Sequence, residues 1–307
     1  MRSDLDLAAR VRGCAILEAP LGAGALDPGC REGPAAFRES GAPARLARLG
    51  LAVDWHSPPG PLAEPTGPAE ERIARMAEWL AAGTERLVAA GTRFAVLGGD
   101  HSCAVGTWAG AARAARPRPL GLVWIDAHLD MHRPETTHSG AINGMPVACL
   151  LGHGASRLTR IAGAAPALDP RHLCIVGVRS FEPEEDALAR ALGVRVITMA
   201  EVRARGLSAA LDEARAIAAD GTAGYGVSLD LDAVDPRDAP AVGTPEPHGI
   251  RAAELLPGWR ELTGQPGCLG IEIAELNPFR DEGRRTVRLA GELIAAAFAR
   301  RHEGVTS

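Results

Sequence analysis

The chain contains no lysine: all 33 of its strongly basic residues are arginine. This excludes a Schiff-base lysine and the phosphate-binding lysine of a Walker loop. The abundance of Ala, Gly, Pro and Arg makes a GC-rich coding bias the simplest cause. No apolar run approaches the roughly 20 residues that cross a bilayer, and the opening residues MRSDLDLAARVRG lack the apolar core of a signal peptide. No basic block stands out against a net charge of −5, which argues against nucleic acid as a partner. Repeats at solenoid periods are absent. So is a glycine-rich cradle that would let Arg133 or Arg179 serve a phosphoester. The six cysteines (Cys14, Cys30, Cys103, Cys149, Cys174, Cys268) form no C-x-x-C pair. Without a leader, they read as reduced, buried thiols in a cytoplasmic protein.

Against these absences stand 307 residues with 46% hydrophobic content, enough for a full core. Short apolar runs at 14–18, 51–55, 94–97, 121–125, 172–178, 194–198, 225–231 and 268–274 read as strands. Amphipathic stretches at 70–90, 102–115, 184–191, 208–219, 251–262 and 286–300 read as helices. The Pro/Gly-rich stretch 56–67 reads as a loop, and nothing divides residues 1–307 into separate domains. Continuously apolar strands alternating with helices point to an α/β fold with a mostly parallel sheet covered on both faces. In such folds, sites gather beyond the carboxyl ends of the strands.

The most informative stretch is WIDAHLD, where an apolar run ends in Asp126, His128 and Asp130 at i, i+2, i+4. If the strand continued, all three would point the same way. Two carboxylates and an imidazole aimed at one spot call for a positive charge between them. VSLDLD repeats the offer with Asp230 and Asp232, and GGDHS adds His101. Six donors exceed the four of a structural zinc site, in which Cys is prominent. Four aspartates and two imidazoles suit two neighbouring octahedral ions. Oxygen-rich ligation favours Mn or Mg, and the imidazoles tilt the choice to two Mn2+. Two such ions acidify a shared water, which suits a poor electrophile such as an amide, a phosphoester or a guanidinium. Glu275, after the last apolar run, is placed to pair with a cationic substrate, and Glu272 reads as structural.

Several other groups read as ordinary structure. Asp100 and Asp235 fit turns, His153 and His172 lie near element ends, and His56 is in the Pro-rich loop. Cys103 has no evident base beside it. His132, His138 and His248 lie closer to the presumed site. The irregular segment 131–145 is a natural place for substrate contacts.

Taken together, GGDHS, DAHLD, the Thr-Thr-His-Ser-Gly loop, SLDLDAVDP and ELNP resemble the arginase/agmatinase, or ureohydrolase, family. GCREGPAAFRESG and GVRSFEPEE extend the resemblance over nearly the whole chain. It implies a single-domain three-layer α/β sandwich with an eight-stranded parallel sheet, a binuclear manganese site, and homotrimers or homohexamers. It also implies hydrolysis of a small-molecule guanidino substrate to urea and an amine. By this resemblance His101, Asp126, His128, Asp130, Asp230 and Asp232 are the metal ligands. Asp130 also orients the attacking water and moves its proton, and Glu275 holds the guanidinium. Ser139 and Glu182 match groups near the amino acid end of the substrate. Three positions depart. His132 and Ala141 stand where arginases usually carry the asparagines that contact the substrate carboxylate. Asn143 stands where the family has its proton-shuttling histidine, and Asn does not titrate near pH 7. Two alternatives follow: a metal-binding member with weak or no turnover, and a hydrolase of another C–N bond such as a formimino group.

Overall fold

Side chains along the first strand, β1 (Arg12–Ala19), alternate between two apolar cores. Cys14 and Ile16 join one, while Ala15, Leu17 and Ala19 join the other. The computed structural model describes residues 12–63 and 66–298. The same period of two recurs in the central strands, as a sheet buried on both faces requires. The remaining strands are β2 (Leu51–His56), β3 (Phe94–Gly98), β4 (Leu120–Ile125), β5 (Leu168–Val178), β6 (Arg195–Thr198), β7 (Tyr225–Asp230) and β8 (Cys268–Ala274). They form one sheet in the order β2-β1-β3-β8-β7-β4-β5-β6, and every pairing is parallel.

Among the described residues, six helices of ten residues or more supply the outer layers: α1 (Ala69–Ala89), α2 (Ala104–Ala115), α3 (Pro183–Leu192), α4 (Leu207–Ala219), α5 (Ala252–Thr263) and α6 (Arg285–Phe298). Ile73 and Leu80 of α1, Trp108 of α2 and Ala189 of α3 pack on one face. Leu211 of α4, Trp259 of α5 and Leu293 of α6 pack on the other. The result is a three-layer α/β sandwich. Trp108 lies directly over Gly226 of β7, where a Cβ would fall 1.9 Å from the indole, so only glycine fits beneath it.

All eight expected strands and all six expected helices are present, with ends shifted by a few residues. Periodicity misses the short helices Gly33–Glu39, Ala42–Arg48, Gly60–Ala63, Pro146–Leu150, Ser156–Thr159 and Met199–Arg205. One of them, Gly60–Ala63, falls in the stretch read as a loop. Most of the N-terminal stretch read for a leader, and the last residues of the helix expected over 286–300, lie outside the described residues. Among the described residues, no helix is long and apolar enough to cross a membrane.

Candidate active site and metal centre

The strand order puts β3, β8, β7 and β4 side by side at the centre of the sheet. Each contributes at its carboxyl end. His101 follows β3, Glu275 follows β8, Asp230 closes β7 with Asp232 just beyond, and Asp126, His128 and Asp130 follow β4. Strand alternation is not what aims the DAHLD residues. β4 stops at Ile125, and the backbone turns through an irregular segment in which Asp130 adopts φ 53°. Likewise Asp232 lies in a 3-10 turn rather than on β7. The donors converge because loops fold them over neighbouring strand ends.

Asp126 sits between two donor groups and belongs to both: His101, Asp126 and Asp230 form one, and Asp126, His128 and Asp232 the other. Within each group the ligating atoms lie within 4.8 Å of one another. Oδ2 of Asp126 lies 3.3 Å from His101 Nδ1, and its Oδ1 lies 3.5 Å from His128 Nδ1. His101 Nδ1 also faces Asp130 Oδ2 at 3.3 Å and Asp230 Oδ2 at 3.1 Å. His128 Nδ1 faces Asp232 Oδ2 at 3.1 Å.

The hydrogen-bond network fixes what His101 offers. The Ser228 hydroxyl donates to Glu272 Oε1 at 2.8 Å. Having spent its one proton there, it accepts from His101 Nε2, 2.9 Å away. With Nε2 as a donor to Ser228, the ring turns Nδ1 toward three carboxylates, where it can give its lone pair to a cation. His101 Nδ1 and Asp130 Oδ2 are buried and have no hydrogen-bond partner. Such groups are expensive unless a cation lies between them. Burial works against charge on His101, yet Asp126, Asp130 and Asp230 outweigh it and raise the imidazole well above its ordinary value. Burial first, then Asp126, raises Asp130; burial first, then Asp232, raises Asp230. A positive charge belongs here, and oxygen and imidazole donors in this number fit divalent metal ions.

Glu275 lies beside this floor with φ 67° and a side chain that is almost wholly buried. Its Oε1 accepts from the His101 backbone N–H at 2.9 Å and from Asn143 Nδ2 at 3.0 Å. Burial, with Asp100 adding to it, pushes the carboxyl up to about 7. Asn143 thus acts as a donor to Glu275. A cavity of about 460 Å³ opens above, large enough for a small ligand. His132, His138, Ser139, Ala141 and Glu182 line its outer part. His132 Nε2 lies 3.0 Å from Glu182 Oε2, while Glu182 and Glu185 form a capping box at the start of α3. Ser139 is exposed and its hydroxyl accepts from the Ala141 N–H. His138 stands 3.9 Å from Glu184. Among the described residues, the one arginine lining the cavity, Arg280, is tied to Asp27 at 2.7 Å and to two backbone carbonyls.

Other residues fall into scaffold roles. Asp100 caps the turn carrying His101 and accepts from the Gly24 N–H. Asp235 holds Arg237, and Arg179 donates to five backbone carbonyls instead of a ligand. Cys103 is buried, and burial raises its thiol well above the usual range. His248 lines a separate cleft with Arg203 and Arg237, so it is not a candidate to touch a ligand at this site. Sequence reasoning missed the supports behind the donors. Trp124 stacks on His101 at 4.1 Å between centroids and donates to Asp126 Oδ2 at 2.8 Å. The Ser228–Glu272 pair was also missed. Its signal was a glutamate and a serine inside otherwise apolar strands.

The sequence profile of the Arginase family matches residues 12–299. The arginase of Bacillus caldovelox is 36% identical over 297 residues, covering 92% of this chain and 97% of its own. That of Agrobacterium fabrum is 36% identical over 306 residues, covering 94% and 91%. The native structure of the B. caldovelox enzyme superposes with a TM-score of 0.87 at 35% identity, over 95% of this chain and all of the other. Proclavaminate amidino hydrolase from Streptomyces clavuligerus gives 0.70 at 25% identity, over 94% and 91%. A fold that gathers its site on four adjacent strand ends, together with this likeness over nearly all of its length, makes the chain a member of the arginase family and a hydrolase of C–N bonds in amidines.

Proposed function

We propose that this protein is a binuclear manganese amidinohydrolase that cleaves the guanidino group of arginine or a related guanidino compound to urea and an amine. The observation that carries this reading is Asp126, whose two oxygens face two separate His–Asp donor pairs on the cavity floor. His101, Asp126, Asp130 and Asp230 would hold one ion, and His128, Asp126 and Asp232 the other. Bound there, paired divalent ions supply a water that is nucleophilic at neutral pH, and they stabilise developing negative charge.

The chain's own residues do the rest. Glu275, fixed by its donors, binds the guanidinium and orients its carbon over the floor. Asp130 Oδ2, buried and without a hydrogen-bond partner, takes the proton released when water attacks that carbon. The C–O bond forms, the proton passes to the leaving nitrogen, the C–N bond breaks, and urea departs. Among the described residues of the outer cavity, Glu182 and Glu185 bring carboxylates, and Arg280 is already paired. A substrate with an amine on its tail suits this wall better than one with a carboxylate alone. The test is urea release on manganese-loaded protein across arginine, agmatine, guanidinobutyrate and guanidinopropionate. Activity on at least one is expected, and no urea from any of them defeats the reading.

Asn143 favours a second reading, a metal-binding member with little turnover, because no titratable side chain occupies its place beside Glu275. Native turnover at ordinary enzyme rates would end it. Ammonia or formamide in place of urea would instead mark a formimino-type substrate. We further place the protein in the cytoplasm as a homotrimer or homohexamer. All six cysteines are buried and free, which suits a reducing compartment. Light scattering checks the assembly.

A further inference from the structure

We propose that Cys30 is a positioning residue for Glu275: its thiol donates a hydrogen bond that fixes which carboxylate oxygen meets the substrate cation. This rests on Glu275 being the carboxylate that binds the guanidinium. Cys30 Sγ lies 3.0 Å from Glu275 Oε2. Neither group is near the other in sequence, and the Cys30 side chain is fully buried.

The turn carrying Cys30 acts as a splint along the segment after β8. Asp27 caps the Pro28–Glu32 turn, accepts from the Gly29 N–H, and accepts from Asn277 Nδ2. Gly29 packs so closely on Asn277 that a Cβ there would fall 2.6 Å from its amide. Gly33 does the same against the Leu276 carbonyl, also at 2.6 Å. Residues 275, 276 and 277 are thus each gripped by a residue of 29–33. A non-glycine residue at φ 67° persists when its surroundings hold it from several sides. The Glu275 N–H donates to the Gly99 carbonyl at 2.7 Å, which adds another hold.

The hydrogen-bond count explains why the thiol matters. A carboxylate offers about four lone-pair directions. Oε1 uses two of them on the His101 N–H and Asn143. Among the described residues Oε2 accepts only from Cys30, and so retains a place for a ligand N–H. The approach to Oε2 is kept open by Gly243, where a Cβ would sit 2.6 Å from Oε2 and 3.5 Å from Cys30 Sγ. Burial, reinforced by the Glu275 charge, pushes the Cys30 thiol far up, so it stays protonated and remains a donor. Losing this hold frees the carboxylate to rotate without removing its charge.

The test compares Cys30→Val, which keeps an apolar filling but has no donor, with Cys30→Ser, which keeps a donor. Four quantities are read on manganese-loaded protein: KM and kcat for the best guanidino substrate, Kd for guanidinium ion by calorimetry, and Tm. For Cys30→Val, KM and the guanidinium Kd should rise roughly three- to tenfold, the scale of one lost hydrogen bond. Its kcat and Tm should stay close to native. Cys30→Ser should recover most of the loss. Unchanged guanidinium affinity in Cys30→Val overturns the proposal, as does a serine variant no better than valine. Native protein that binds guanidinium but releases no urea refutes the hydrolase reading and leaves the positioning role to the calorimetry. Native protein that binds no guanidinium overturns the positioning role as well.

Discussion

Replacing Asn143 with histidine puts a titratable group where the structure has only a carboxamide. Asn143 is half-buried, lines the cavity, and reaches Glu275 Oε1 at 3.0 Å. A ring nitrogen at that reach would sit between Glu275 and the cavity, able to give a proton to a leaving amine. General acid catalysis is worth about 10²–10⁴-fold. Two factors reduce the expected gain. Asp130 already offers a route for the proton, and the histidine must replace the hydrogen bond that Asn143 makes to Glu275. The expected result is therefore a rise in kcat of at least about tenfold, below the full value of that range. The assay is urea release from pH 5.5 to 9 with manganese content measured in parallel. The variant should gain a limb in its kcat profile near the ordinary histidine value of about 6.5, in addition to any that Glu275 gives both proteins. An unchanged kcat and profile, with metal content and KM intact, would refute the claim that Asn143 limits proton delivery.

Glu275→Gln keeps the shape but removes the charge proposed to face the guanidinium; a charge-assisted hydrogen bond is worth about 1.5–3 kcal/mol. Its kcat/KM should fall about 10- to 100-fold with bound manganese unchanged, and a loss under twofold would count against the assigned role. Ser228→Ala removes the partner that sets the His101 tautomer. Manganese affinity by competition with a chelator should weaken roughly 10- to 100-fold, as such supports typically do, and native affinity would contradict the role given to Ser228. Arg195 bridges Glu201 and Glu213 and holds both carboxyls below their usual range. A depressed folded value stabilises above the unfolded value, about 4.3 for glutamate, and the gain is lost as pH falls through the folded one. These side chains are about one-third exposed, so the effect is modest. Arg195→Met should lower Tm at pH 7 and by less at pH 3; an equal deficit at both would refute the linkage.

What could be read from the sequence follows from where the signal resides. The buried parallel strands are uninterrupted apolar runs, so all eight stand out. Even so, β5 begins at Leu168 rather than at 172, because polar Asp169 and Arg171 lie at its exposed start. Helices of one or two turns, such as Ala42–Arg48, carry too few periods to register. The donors after β3, β4 and β7 were visible as acids and histidines closing apolar runs. The geometric reason assigned to DAHLD was different from the real one, since a loop with Asp130 at positive φ brings the groups together. Glu272 was legible as structural and Cys30 as a buried thiol, but their pairings with Ser228 and Glu275 escaped notice because the partners come from distant parts of the chain. Sequence alone does not show that β8 lies between β3 and β7, which is what brings Glu272 behind His101 and Cys30 against Glu275.

The central claim is that Asp126 joins two cation sites. It is tested most directly by elemental analysis of protein reconstituted with manganese, compared with Asp126→Ala treated identically. The native chain should retain about two ions after desalting, as a two-metal hydrolytic site requires, and the variant should lose both together. A native chain that retains none, or a variant that still holds its full complement, would contradict the account.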